Sequence, residues 1–467
     1  MNELSSKSFF GGMLDSPKFL LVLLLAMVAL FVVTQIEIER DERPLGTAED
    51  LLELAERDDL NVLYILIDTL RSDRLSAYGY ERKTSPVLDY LAETGIRFAN
   101  HHSQSSWTKT SMASLWTGLF PNRVGVLRAQ DALPEEFRVP AEILRDAGYM
   151  TIGIWRNGWI APNFGFGQGF DVYNNPGSGL MPGGLRKLTR AGRVPSSDLD
   201  VVLSTRDFLR SYHDQRFFLY LHLMDVHQYL SDDESAIFGN SYSDSYDNSI
   251  LWTDRQVGAV IAELERLGLR NNTLIVVVSD HGEAFGEHGA EGHARDLHAE
   301  TTTTPWIMSL PSRLSPGIVV SNRSSNVDVW PTLLDLLGLE SLEQSDGRSL
   351  VSMLVSGGSE PESARTDFSQ LDQTWGQIKS KPKPSFGVQK GAYRLIRKSV
   401  SGDSVYDLKQ DPGEQSSVAE ENPEVLEDLR AALDEYEQQG PVFDSVPHIE
   451  LNDMELRQLR ALGYAVQ

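Results

Sequence analysis

Cysteine is absent from the 467 residues, which removes disulfides, thiolate metal sites and any sulfur nucleophile and leaves the redox compartment open. Positive charge is scarce: 42 lysines and arginines face 67 aspartates and glutamates, a formal net charge of -25. Such a chain is unsuited to nucleic acid or anionic lipid, which need clustered cations. Any anionic substrate must be met by a local positive centre. Internal repeats are also missing, and the length suits one large α/β domain with a smaller one.

One long apolar run is present. Residues 19–33 are wholly apolar and with 34–36 give about 18 helical residues, roughly 27 Å, enough to cross a bilayer. No small-x-small cleavage site comes after it. The expectation is an uncleaved signal anchor at 19–36, a short cytoplasmic stretch at 1–18 and a charged tether at 37–59. The remainder is expected outside the cytoplasm, since an anchor of this kind exports the chain behind it. Lys7 and Lys18 before the run and Arg40 and Arg43 after it give only a weak orientation signal.

The chemistry-bearing stretch is residues 272–283. Residues 274–278 are an unbroken aliphatic run that reads as a strand buried on both faces, and it stops at Ser279-Asp280-His281-Gly282. A carboxylate and an imidazole where a buried strand surfaces make Asp280 and His281 candidate metal ligands, although a strand-end Asp can equally cap a turn. A second apolar strand, 62–67, ends in Asp68-Thr69-Leu70-Arg71. Residues 105–112 hold five hydroxyls at the start of an expected helix; most such residues are N-caps, but the helix dipole and free N–H groups there also favour an anion or a nucleophile. Strands expected at 96–99, 150–154, 217–223 and 305–310 alternate with helices at 86–92, 140–147, 199–212, 249–267 and 328–337. This pattern implies an α/β fold with a mostly parallel central sheet covered by helices on both faces. A catalytic domain is expected over 60–345. Residues 346–467 are expected to form a small C-terminal α+β subdomain, with a linker at 374–386, antiparallel strands at 391–397 and 404–408, and a helix at 423–438.

In order along the chain, several segments resemble the sulfatase family of the alkaline phosphatase superfamily. They are 61–75 with Tyr78-Gly79, 85–92, 117–121, 221–227, 279–283, 285–289, 327–338 and 406–414. The resemblance implies that Asp68, Asp280 and His281 hold one divalent metal, and that Thr108 is both nucleophile and metal ligand. It places His227 and His293 near the anionic ester or its leaving group, and Arg71 at the arginine of the first strand's motif. Lys109 and Arg71 are further candidates beside the anion. Two carboxylates, an imidazole and a hydroxyl suit zinc or manganese better than calcium or magnesium. A second metal would draw on Asp225 and His227 with His288 or His293.

Thr108-Lys109-Thr110-Ser111-Met112 overlays the C-x-P-S-R or S-x-P-S-R signature that this family oxidises to formylglycine. Threonine cannot form that aldehyde, and the proline and arginine are replaced by Thr110 and Met112. Threonine does serve as nucleophile elsewhere in the superfamily, which favours phosphorus chemistry. The expected activity is metal-dependent hydrolysis of sulfate or phosphate esters. The alternatives are transfer of a phosphoryl-linked group, such as phosphoethanolamine, to an acceptor, or an inactive relative that binds in the cleft.

Overall fold

The computed structural model describes residues 41–177, 186–187, 196–356, 365–377, 379–399 and 401–461. Pro44–Gln467 form one unit, and Met1–Arg43 form another of which residues 41–43 are described. Among the described residues no helix is long and apolar enough to cross a membrane. The cytoplasmic stretch and the anchor expected at 1–36 lie outside them.

In chain order the central sheet is built from β1 (Asn61–Ile67), β2 (Ile96–His102), β3 (Met150–Ile154), β4 (Val172–Asn174), β5 (Phe217–Leu223), β6 (Thr273–Val278), β7 (Trp306–Ser309) and β8 (Ile318–Ser325). Its spatial order is β8-β2-β7-β6-β1-β5-β3-β4. All neighbours are parallel except β7, which is antiparallel to both β6 and β2. The helices that matter for the site are α1 (Pro86–Glu93), α2 (Thr108–Thr117), α3 (Pro140–Asp146), α4 (Asp198–Tyr212), α5 (Tyr242–Arg266), α6 (Asn326–Leu336) and α7 (Pro423–Gln438).

Side chains alternate across a strand, and here the alternation separates two cores. Val62, Tyr64 and Leu66 of β1 join Phe218, Tyr220, Leu274, Val276 and Val278 in a core with Met112, Leu115 and Trp116 of α2 and Trp330 of α6. Leu63, Ile65 and Ile67 join Leu219, Leu221, Ile275 and Val277 on the opposite face, against α1, α4 and α5. Strands β1, β5 and β6, buried at every position and apolar at all but Asn61, His222 and Thr273, are thus covered on both sides. The even-numbered residues of β1, β5 and β6 face α2. Asp68, His222 and Asp280 carry the same parity.

A four-stranded antiparallel sheet comes next: β9 (Thr366–Asp372), β10 (Pro384–Lys390), β11 (Tyr393–Lys398) and β12 (Gly402–Asp407). Val388, Leu395 and Val405 pack against Leu429, Leu433 and Tyr436 of α7. The stretch expected as a linker at 374–386 thus runs into β10. Strands β8 and β9 were not expected, because Ser321-Asn-Arg-Ser-Ser325 and Thr366-Asp-Phe-Ser-Gln370 carry polar residues in place of apolar runs. Helix α6 begins two residues before its expected start, so Pro331 lies inside it rather than in its first turn.

Candidate active site

Strand register brings the two carboxylates together. Leu66 of β1 pairs with Val278 of β6, so two residues further on Asp68 and Asp280 leave the sheet side by side. Gly282 stands where a Cβ would lie 2.2 Å from the Glu300 carbonyl oxygen, so only glycine fits this close approach of chain to chain. Thr69, just after Asp68, has φ 63°, a costly conformation for a β-branched residue. It is held by its own hydroxyl on the Asp68 carbonyl at 2.6 Å and by Tyr246, whose hydroxyl donates to the Thr69 carbonyl at 2.5 Å. Thr108 is the first residue of α2, with the helix N-terminus behind it.

Asp68, Asp280 and His281 are fully buried, and one ligand atom from each lies within 4.8 Å of the others. Each carboxylate has one oxygen anchored and one directed inward. Asp68 Oδ2 accepts from Asn157 Nδ2 at 2.7 Å and His222 Nε2 at 3.0 Å. Asp280 Oδ1 accepts the backbone N–H groups of Thr69 at 3.2 Å and His281 at 3.0 Å. The buried partners Asp68 Oδ1 and Asp280 Oδ2 accept no hydrogen bond. His281 donates from Nδ1 to the Gly282 carbonyl at 2.9 Å, which leaves the Nε2 lone pair 3.4 Å from Asp280 Oδ2. Thr108 Oγ1 is 3.2 Å from that nitrogen. Two carboxylate oxygens with no donor converge with an imidazole nitrogen that only the Thr108 hydroxyl can serve, and orphaned buried acceptors are costly. A divalent cation satisfies all three, so the residues present fit a metal.

The electrostatics agree. Burial works against the charge of Asp68, but His227, the His222 hydrogen bond and His281 outweigh it and hold its carboxyl well below the usual range. Burial and then the Asp68 charge push Asp280 up. The two groups resist sharing one small volume as anions.

The remaining expected residues divide. The His227 and His293 rings lie 4.9 Å apart, and His293 is 4.7 Å from His281, so both imidazoles border the site. Burial pulls His227 down to about 4 in spite of the Asp68 charge. His293 meets Glu283 Oε2 through Nδ1 at 2.9 Å; burial opposes its charge, and Glu283 outweighs burial and raises it. A short hairpin, Ala284–Phe285 with Glu291–Gly292, returns His293 to Glu283. The Ala294 N–H then ties the loop to the Ser106 carbonyl at 2.8 Å, close to Thr108.

Arg71 and Lys109 are engaged by other partners. Arg71 donates to Asp73 at 2.9 and 2.7 Å, to Glu287 at 2.6 Å and to the Glu283 carbonyl at 2.8 Å. Its guanidinium braces the loop that carries Glu283. Lys109 lies one helical step beyond Thr108 and points elsewhere: its Nζ donates to the Ala129 carbonyl at 2.8 Å and sits 3.3 Å from the centre of the Phe164 ring. Burial drives its ammonium well below the usual range. The second-metal set is not assembled either. Asp225 accepts from Arg156 at 2.5 Å and from Trp252 at 2.8 Å. His288 is held by Glu300 at 2.7 Å and the Glu414 carbonyl at 2.9 Å. Among the described residues, Asp68, Asp280 and His281 form the one metal-binding group of this kind.

Three further residues of the site are not apparent from the sequence. Asn157 lies just past β3, where the strand-end rule applied to β1 and β6 could have found it. His222 carries no signal of its own: it sits inside a buried strand, and only its parity with Asp68 marks it. Its other ring nitrogen meets Tyr220 OH at 2.8 Å. Glu283 is visible beside His281, but its partnership with His293 depends on the hairpin.

A family model described as Sulfatase matches residues 60–339, and one described as N-sulphoglucosamine sulphohydrolase, C-terminal, matches residues 286–439. Arylsulfatase A of Bos taurus is 25% identical over 457 residues, covering 82% of this chain and 88% of the bovine one. Among the solved structures that share the fold, two illustrate its range. A 2-O GAG sulfatase superposes with a TM-score of 0.66 at 19% identity over 81% of this chain and 91% of its own. The phosphonate monoester hydrolase of Agrobacterium radiobacter gives 0.64 at 19% identity over 81% and 95%.

Proposed function

Because the chain belongs to the sulfatase family, we propose that it is a metal-dependent hydrolase of anionic esters in which Thr108 is the nucleophile. The observation that carries this reading is the pair of buried carboxylate oxygens, Asp68 Oδ1 and Asp280 Oδ2, that accept no hydrogen bond and stand beside His281 Nε2 and Thr108 Oγ1. A divalent cation bound there, zinc or manganese by the ligand set, would make the hydroxyl acidic and offset charge on the ester oxygens.

The chain's own residues supply the rest. The Thr108 oxygen attacks the tetrahedral centre in line with the leaving group. The α2 N-terminus offers backbone N–H groups and a favourable dipole to the anion. His293, oriented by Glu283, and His227 beside it stand where a departing alcohol needs a proton. Phosphorus is the favoured centre. A threonine phosphoester can be opened by water at phosphorus, whereas a threonine sulfate lacks the exit that an aldehyde hydrate provides.

The test is metal analysis of the domain beginning at Pro44, with turnover of aryl phosphate, phosphodiester and aryl sulfate by wild type and Thr108→Ala. Turnover that depends on Thr108 and on one bound cation per chain is expected. Equal activity in both proteins would remove Thr108 from the reaction; product that forms only with an added alcohol would mark a transferase. We also place this domain outside the cytoplasm behind an anchor at 19–36. Protease added to cells whose cytoplasmic membrane is intact tests that: the domain should be digested, and a domain that survives until that membrane is opened would overturn the placement.

A further inference from the structure

The geometry points to Asn157 as a further catalytic residue: its side-chain amide holds the Thr108 oxygen and stabilises the negative charge that oxygen carries on attack and again on departure. This rests on the reading of Thr108 as nucleophile.

The orientation of the amide is settled by three partners. The Trp159 backbone N–H donates to Asn157 Oδ1 at 2.9 Å, which turns Nδ2 the other way. There Nδ2 lies 2.7 Å from Asp68 Oδ2 and 3.3 Å from Thr108 Oγ1. A flipped amide would press a carbonyl oxygen against the ionised Asp68 carboxylate and set two N–H donors against each other. The two Nδ2 hydrogens are therefore directed to the metal-binding carboxylate and to the nucleophile. Asn157 is fully buried, and the turn after it, Gly158–Ile160, is capped by its own side chain. A rigid donor thus fixes the separation between Thr108 and Asp68.

Such a donor acts in both halves of the reaction. In the first, the Oγ–P bond forms as the bond from phosphorus to the ester oxygen breaks. The hydroxyl proton goes to water, and the leaving alkoxide takes a proton from an imidazolium of the His227 and His293 pair. In the second, a water oxygen bonds to phosphorus and gives its proton to the same imidazole, restoring the imidazolium, while the Oγ–P bond breaks and Thr108 Oγ regains a proton from solvent. The sum is ester plus water giving alcohol plus the phosphorus acid. In each transition state Oγ1 is partly anionic, and a hydrogen bond to an anion is roughly twice as strong as one to a neutral oxygen. The donor is then worth more in the transition state than in the ground state, which is the condition for raising kcat. Removing one preorganised donor of this type costs about 100-fold to 1,000-fold.

The test is Asn157→Ser. A serine hydroxyl can still accept the Trp159 N–H in a local turn, but it is too short to reach Thr108. Three quantities are measured: kcat and KM on an aryl phosphate, the rate at which a fluorophosphonate labels Thr108 by peptide mass spectrometry, and cation bound per chain. Expected are losses of about 100-fold in kcat and in labelling rate, with KM and bound cation near wild type. Asn157→Asp keeps the shape and the Trp159 bond but replaces the donor with an acceptor, and its labelling should fall at least as far. Labelling within about threefold of wild type in both variants, far short of the loss of a preorganised donor, overturns the assignment. Loss of cation in step with turnover, in Asn157→Ser and His222→Phe alike, also overturns it, because Asn157 would then act through Asp68 alone. Thr108→Ala runs in parallel: if it turns over substrate the proposed function fails, and if it is inert while Asn157→Ser is normal only the role of Asn157 fails.

Discussion

Replacing Asp280 by asparagine should move stability in opposite directions with and without a cation. A carboxylate oxygen of Asp68 and one of Asp280 lie within 4.8 Å of each other in a fully buried volume. At an effective dielectric near 20, two unit charges at about that distance repel by roughly 3 kcal/mol. Asparagine keeps the shape and the Oδ1 contacts to Thr69 and His281 while removing one charge. In chelator, Asp280→Asn should therefore melt above wild type, by up to a few degrees for a chain of this size. With cation at about a hundredfold excess over Kd, wild type gains about 2.7 kcal/mol, and the variant, short of one anionic ligand, gains much less. The two melting curves should exchange order. The pH arm has a definite sign: Asp280 is raised in the folded protein, so its contribution is present below the ordinary carboxylate range and is lost as pH rises through the raised value. The advantage of the variant in chelator should grow with pH. Calorimetry in chelator and in excess cation measures both effects. A variant that melts below wild type in chelator would show that no charge conflict exists, and the argument for a metal would lose its footing.

Lys109→Met should leave kcat within about threefold, because Nζ is spent on the Ala129 carbonyl and the Phe164 ring and a buried thioether replaces a poorly solvated amine; a loss of about a hundredfold in steady-state assays, the size expected of a lost anion contact, would return Lys109 to the anion site. Glu283→Gln should slow esters with poor leaving groups about tenfold or more while sparing activated aryl esters, since the carboxylate orients His293; an equal loss across a leaving-group series would contradict that role. His288 has an acceptor at each ring nitrogen. Burial opposes its charge, but the Glu300 and Glu414 contacts raise it. Its contribution to stability should thus be present below about pH 6.5 and lost as pH rises through the higher folded value. Denaturant titrations of His288→Gln should show a flatter profile over that window, and an unchanged profile would remove His288 as the source.

Burial and chain geometry decide which parts of the site are legible in the sequence. Asp68, Asp280 and His281 stand out because they end uninterrupted apolar strands, where burial on both faces leaves little reason for a sudden polar residue other than function. Thr108 is marked as one of several hydroxyls at a helix start. Lys109 is misplaced because adjacency in sequence is about 100° of rotation on a helix, and nothing local says which of two neighbours faces the cleft. Arg71 reads as an anion ligand until Asp73 and Glu287, the latter distant in sequence, close on it. Asn157 and His222 are hidden for different reasons: β3 is short and runs on into Trp155-Arg156-Asn157 without a clear stop, and His222 lies within its strand.

The placement of β7 carries a consequence for the order in which the chain can become an enzyme. Strand β2, which leads directly to Thr108, touches the rest of the sheet only through β7 and β8. Both are made after Asp280 and His281. A nascent or truncated chain ending just short of Trp306 would hold every residue of the proposed chemistry and the sheet face on which α2 packs, yet leave β2, which runs into Thr108, without either of its neighbours in the sheet. Activity should emerge on the ribosome as a late and abrupt event, with the segment from Trp306 to Ser325 as its trigger.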